Sequence, residues 1–248
     1  RDRMAESVNL GVEFAREWCR REGVELKSPG GSAPVEVHDA QTRLRFTEEM
    51  KGYLSAGKED FRKAYLQGER ENNFFKFHLT ITINGVNRFV TNPRHEASAE
   101  GWLEGDLIGG RRPVQRGVFN LLSYEEDPNQ RQMIYRLYFE DAKGEPLTLW
   151  GRKEVYDDPG IDLWSDTTEL FVRILKGHVE AGKEPQAEIL YSGMLRIYLQ
   201  DFLKQLTTFR VDGPTTHDRV AALNRFGRFF FRKLWDVYAR HFVEYGPW

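Results

Sequence analysis

Between about residues 43 and 197, apolar side chains recur at every second position. Phe75, Phe77, Leu79, Ile81 and Ile83 alternate with polar residues and run into Asn84-Gly85. Met133, Tyr135, Leu137 and Phe139 alternate before Ala142-Lys143-Gly144, and Leu147, Leu149 and Val155 lead back. A period of two is the mark of a strand with one buried face. Asn-Gly suits a two-residue type I′ turn, because both central positions need positive φ, so Val86 to Val90 is expected as a return strand. Further strands fit Arg43–Ser55, Ala97–Ile108, Val114–Tyr124, Thr167–Leu175 and Ala187–Ile197. Most links between them are shorter than the dozen or so residues a parallel crossover needs, so neighbours run antiparallel. Roughly nine such strands close into a barrel or fold as a sandwich. The expected fold is mainly β: an antiparallel β-barrel, lipocalin- or calycin-like in general shape, with N-terminal and C-terminal helices.

The flanks change period. Met4, Val8, Val12, Ala15, Trp18 and Cys19 recur mainly at steps of three and four, which predicts a helix over residues 1–26. Lys27 to Pro34 carries two Pro, two Gly and two Ser, which makes 27–40 a linker to a barrel domain over 41–248. C-terminal helices are expected over about 199–245: a short one at Asp201–Phe209, then a stop and N-cap at Gly213-Pro214-Thr215-Thr216. Val220, Leu223, Phe226 or Phe230, Leu234, Val237 and His241 share one face of the last helix. Phe229-Phe230-Phe231 and Trp235 widen that face, so the helix is expected to close one barrel mouth. A weak repeat also stands out. Gly52-Tyr53-Leu54 precedes Asp60-Phe61 at the same distance as Gly193-Met194-Leu195 precedes Asp201-Phe202. Duplication and chance both account for it; a glycine inside a strand marks a bulge or corner.

Composition narrows the function. The 248 residues carry 36 Lys and Arg against 38 Asp and Glu, a net charge of −2, which removes the whole-surface positive field of a general nucleic-acid binder. No run of 18 apolar residues is present to span a bilayer as a helix. The single cysteine, Cys19, rules out an internal disulfide and suits a reducing, cytoplasmic setting.

Motifs for familiar chemistries are absent. Asp157, Asp158, Asp162 and Asp166 gather within ten residues, but their spacing misses the EF-hand pattern, so a turn is preferred to a metal site. The six histidines form no i,i+2 or i,i+4 pair. No serine sits in a Gly-x-Ser-x-Gly elbow, and Cys19 lies in an apolar helical phase. Gly105 to Gly110 misses both nucleotide-loop frames and reads as a hairpin turn, so no cofactor is expected. One residue breaks the barrel pattern. Lys153 occupies the apolar phase of Leu147, Leu149, Gly151 and Val155. An inward lysine must pair with a nearby aspartate, snorkel to the rim, or meet an anionic or carbonyl-bearing ligand. With Tyr135, Tyr191 and Trp150 it makes up the candidate ligand-binding set.

The run Pro146-Leu-Thr-Leu-Trp-Gly-Arg-Lys-Glu-Val-Tyr-Asp-Asp-Pro-Gly-Ile-Asp-Leu-Trp-Ser-Asp-Thr-Thr168 resembles a domain of large bacterial proteins related to cholesterol oxidases. Arg45-Phe-Thr-Glu-Glu-Met-Lys-Gly-Tyr53, Gln205-Leu-Thr-Thr-Phe-Arg210 and Leu234-Trp-Asp-Val-Tyr238 support the resemblance, which covers about residues 43–245. In those proteins the domain accompanies a glucose–methanol–choline type flavin oxidoreductase module and often an α/β-hydrolase module. The flavin motif and the serine elbow belong to those neighbours. The resemblance therefore implies an accessory domain beside oxidation or hydrolysis of sterol- or terpenoid-like substrates.

The leading expectation is binding or presentation of a lipophilic small molecule, with a flavin oxidoreductase or hydrolase module as partner and neither nucleic acid nor a transmembrane segment involved. One alternative is a cofactor-free isomerase or cyclase inside the barrel, which needs at least two converging polar residues, one with a shifted pKa. The other is a structural protein-interaction module.

Overall fold

A computed structural model describes residues 39–57, 60–124, 130–156, 169–197 and 208–245. Its strands are β1 (Arg43–Ala56), β2 (Phe74–Asn84), β3 (Glu96–Gly105), β4 (Gly110–Pro113), β5 (Arg116–Tyr124), β6 (Gln130–Glu140), β7 (Pro146–Tyr156), β8 (Glu169–Lys176), β9 (Ile189–Arg196) and β10 (Arg210–Asp212). Eight of them, β1, β2, β3, β5, β6, β7, β8 and β9, pair antiparallel in that order, and β9 returns to β1. The expected barrel is therefore present and closed. β4 extends β3 as the predicted Gly105–Gly110 hairpin, and β10 lies along the start of β1.

Register sets the barrel's width. Paired residues lead from Arg45 through Thr82, Ser98, Val118, Arg136, Trp150, Arg173 and Ser192 back to Ser55, ten residues further along β1. Such a stagger tilts the strands by about 35–45° and leaves an interior that side chains fill or one small ligand occupies. Alternate residues point inward, including Leu44, Phe46, Met50 and Leu54 on β1 and all five apolar positions predicted on β2.

The barrel closes where the sequence repeats itself. Gly52 pairs with Leu195 and Leu54 with Gly193, so the two Gly-x-Leu copies lie antiparallel against one another. A Cβ on Gly52 would stand 2.0 Å from the Met194 carbonyl oxygen, and one on Gly193 would stand 2.1 Å from that of Tyr53. Only glycine lets the two backbones approach this closely.

Two helices depart from the expected pattern. α1 (Phe61–Arg70) follows β1; Asp60 caps it by accepting from the Lys63 N–H, and Ala64, Tyr65 and Gly68 bury against β1 and β9. α2 (Val86–Thr91) replaces the predicted return strand. Gly85 does take positive φ (71°), but its N–H binds the Thr42 carbonyl and the chain turns into a helix. Val86 and Phe89 are both buried. Residues three apart share a helical face but fall on opposite faces of a strand, so burying both selects the helix. The true partner of β2 is β3.

α3 (Thr216–Tyr245) is the predicted C-terminal helix. At its start Thr215 and Asp218 cap reciprocally: the Asp218 N–H donates to Thr215 Oγ1, and the Asp218 carboxylate accepts from the Thr215 N–H and hydroxyl. Ala222, Leu223, Phe226 and Phe229 are buried where α3 meets α2 and β10, at the barrel end where β2 finishes. There Phe46 stacks on Phe209 at 4.9 Å, Phe209 meets Phe226 at 5.7 Å, and Phe89 meets Phe229 at 5.8 Å. An aromatic cover therefore closes this mouth. Residues 1–26, most of the linker 27–40, and 201–207 of the expected short helix lie outside the described residues; Phe209 itself belongs to no helix. Among the described residues no helix is long and apolar enough to cross a membrane.

Candidate functional site

Three polar side chains meet inside the apolar barrel. Glu48 projects from β1, Tyr135 from β6 and Lys153 from β7, and they are 5%, 1% and 3% exposed. The Tyr135 hydroxyl donates to Glu48 Oε2 at 2.8 Å. Lys153 Nζ lies 3.9 Å from Glu48 Oε1. That exceeds the 2.7–2.9 Å or so of a charge-assisted hydrogen bond, so lysine and glutamate attract by proximity alone. The tyrosine ring is fixed between Phe119 at 4.7 Å and Phe77 at 5.7 Å.

The surroundings set the electrostatics. Burial lowers the Lys153 pKa below its ordinary value, and the Glu48 charge offsets part of that effect. Burial also pushes the Tyr135 phenol well above its usual value, reinforced by the Glu48 charge and by the hydrogen bond that needs the phenol proton. The cluster thus holds a lysine biased toward the free amine and a phenol held in its protonated form.

Exposure is uneven along the barrel. Leu54, Phe75, Phe77, Leu103, Phe139 and Leu149 are each 0% exposed, so side chains fill that stretch. Near the cluster, Glu48 keeps 5%, Phe46 6% and Met133 9%, while Leu44 and Ile81 beside them keep none.

Of the predicted set, Lys153 and Tyr135 come together and the other two do not. Tyr191 is half-buried on the inner face of β9, at the opposite end of the barrel beside Ala56. Trp150 stands on the outer wall between Arg152 at 5.5 Å and Arg173 at 5.8 Å. Asp157, Asp158, Asp162 and Asp166 lie outside the described residues; among the described residues Lys153 meets the carboxylate of Glu48, from across the barrel. Sequence reasoning missed Glu48. It stands in the apolar phase Leu44, Phe46, Glu48, Met50, the same break that singles out Lys153, and that signal was open to the same reading.

Elsewhere several polar groups pair with one another. On the outer wall Arg136 pairs with Glu184, and Tyr138 donates to Glu180 at 3.0 Å, which straps the segment after β8 to the barrel. An open groove of about 450 Å³ is lined by Asn72, Phe74, Glu104, Gly105, Asp106, Gly110 and Arg111. Its arginine is engaged by Glu104 at 2.6 Å and lies 4.0 Å over the Trp102 ring. Among the described residues no three His, Cys, Asp or Glu side chains are grouped to hold a metal ion.

Fold and cluster together define an eight-stranded antiparallel barrel whose apolar interior encloses a lysine–glutamate–tyrosine group. Comparison with protein-family models, with curated proteins and with solved structures finds no match.

Proposed function

We propose that this protein binds one lipophilic small molecule carrying a single polar group, in the half of the barrel beneath α3. The observation that carries this reading is the enclosure of Lys153, Glu48 and Tyr135 among aliphatic and aromatic walls. A buried ion pair contributes little to stability and is often outperformed by apolar residues of the same size. Apolar walls with a few convergent polar groups are the usual composition of a small-molecule site. The ligand's apolar body lies toward Phe46, Met133 and the aromatic cover, and its polar end meets the cluster. In line with the sequence resemblance, the proposed ligand is sterol- or terpenoid-like and the proposed partner is a flavin oxidoreductase or hydrolase module.

The test is native mass spectrometry of the protein from its source, followed by organic extraction. A co-purifying sterol, terpenoid or fatty acid that is lost in Lys153→Met or Tyr135→Phe supports the reading. A protein that takes up no lipophilic probe, such as a fatty acid or a sterol, overturns it. The convergence of three polar groups, two with displaced pKa values, favours a second reading: a cofactor-free isomerase or cyclase with Lys153 as base and Tyr135 as hydrogen-bond donor. Turnover of the extracted ligand that is lost in Lys153→Met would select it.

A further inference from the structure

We infer that Lys153 captures lipophilic aldehydes as a reversible imine, with Glu48 moving the proton and Tyr135 holding Glu48 in place. This names the ligand class of the proposed barrel site and rests on that reading.

The geometry carries the argument. Among the described residues, the nearest carboxylate oxygen to Lys153 Nζ is 3.9 Å away, too far to hold the amine in a hydrogen bond. The carboxylate's other oxygen is taken by Tyr135 at 2.8 Å, which fixes Glu48 and leaves Oε1 turned toward the amine. A carboxylate at this separation accepts a proton from the ammonium or from an intermediate on the same nitrogen after a small side-chain movement. The paired residue on β6 is Met133 and the preceding inward position on β7 is Gly151. The positions beside the lysine are therefore apolar: Met133, and a glycine over which the Leu170 side chain packs, 3.1 Å from where a Cβ would stand. Burial adds to this, since it lowers the lysine's pKa and so raises its share of free amine at neutral pH.

The chemistry balances without an oxidant or a second cofactor. The free amine's lone pair attacks the aldehyde carbon, the C=O π bond breaks, and the nitrogen's surplus proton passes by way of Glu48 to the oxygen, giving a carbinolamine. The nitrogen's remaining proton then passes by way of Glu48 to the hydroxyl, which leaves as water while the nitrogen lone pair forms C=N. Amine and aldehyde become imine and water, and hydrolysis reverses each step. The dry apolar wall favours the imine, because water is the product released.

The test treats the whole protein at neutral pH with trans-cinnamaldehyde and sodium cyanoborohydride, then locates the trapped cinnamyl group by peptide mass mapping. Lys63 and Lys176, whose side chains are 81% and 61% exposed, serve as internal references. Lys153 is expected to be labelled faster than either, because burial gives it the larger share of free amine. Labelling there is expected to disappear in Lys153→Arg, which keeps charge and bulk, and to slow in Glu48→Gln, while Lys63 and Lys176 are labelled at unchanged rates. Label confined to exposed lysines overturns the inference. Binding of cinnamyl alcohol, which cannot form an imine, is followed in parallel by competition with a fluorescent fatty-acid probe. Alcohol bound without a Lys153 adduct overturns imine capture and leaves the lipophilic site standing; neither alcohol nor probe bound removes both.

Discussion

Replacing Glu48 with leucine removes the charge facing Lys153 and the acceptor of the Tyr135 hydroxyl in one step, at nearly constant volume. Breaking a buried pair by removing one partner costs about 3–5 kcal/mol. We therefore expect Glu48→Leu to lose about 3–5 kcal/mol. Lys153→Met leaves Glu48 still hydrogen-bonded by Tyr135 and is expected to lose less, about 1–3 kcal/mol. The triple variant Glu48→Leu, Lys153→Met, Tyr135→Phe buries no ion and no hydroxyl, and is expected to match or exceed the parent by up to about 4 kcal/mol. Urea unfolding with linear extrapolation measures each. A double variant Glu48→Leu/Lys153→Met whose loss equals the sum of the single losses within about 0.5 kcal/mol would refute the pairing. A triple variant far less stable than the parent would refute the claim that the cluster is kept for something other than stability.

In Gly193→Ala the new methyl meets the Tyr53 carbonyl at 2.1 Å, so a loss of about 1–3 kcal/mol or more is expected, whereas Gly227→Ala, with open space around it in α3, should gain roughly 0.5–1 kcal/mol by thermal unfolding. Arg136→Met strands the nearly buried Glu184 on the outer wall and should cost about 3–5 kcal/mol in urea. For pH, the lowered pKa of Lys153 means that the unfolded chain binds more protons between that value and 10.5, so its contribution rises with pH across the window. The raised pKa of Tyr135 means that the unfolded chain loses its proton first above 10, so that contribution falls as pH climbs further. Unfolding free energies measured from pH 7 to 11 should lose the rise in Lys153→Met and the fall in Tyr135→Phe; unchanged profiles would contradict both assignments.

The barrel was legible because each wall strand presents one face to the core, and Phe75 to Ile83 or Met133 to Phe139 record that face with a period of two. The same signal exposed Lys153, and it exposes Glu48 when the whole of β1 is phased. α2 escaped because Asn-Gly specifies a change of direction but not the type of element after the turn, and Val86 with Phe89 fit a helix only once both must be buried. α1 escaped because Phe61–Arg70 is mostly polar and owes its place to the surface of β1 and β9. That Lys153 meets Glu48 is a result of barrel curvature, which brings β1 and β7 face to face and leaves no local trace.

The seam between β1 and β9 also dictates the order of events during synthesis. Ser55 pairs with Ser192, 137 residues later in the chain, whereas the wall pairings from β1 through β9 form between neighbours in sequence. The curved sheet therefore assembles progressively as the chain leaves the ribosome, while β1 keeps one open edge until its last partner is made. Closing so long a loop is slow, and an open edge invites pairing with another chain. β1 shortens that hazard by taking α1 along its outer side, a local cover that is translated long before β9.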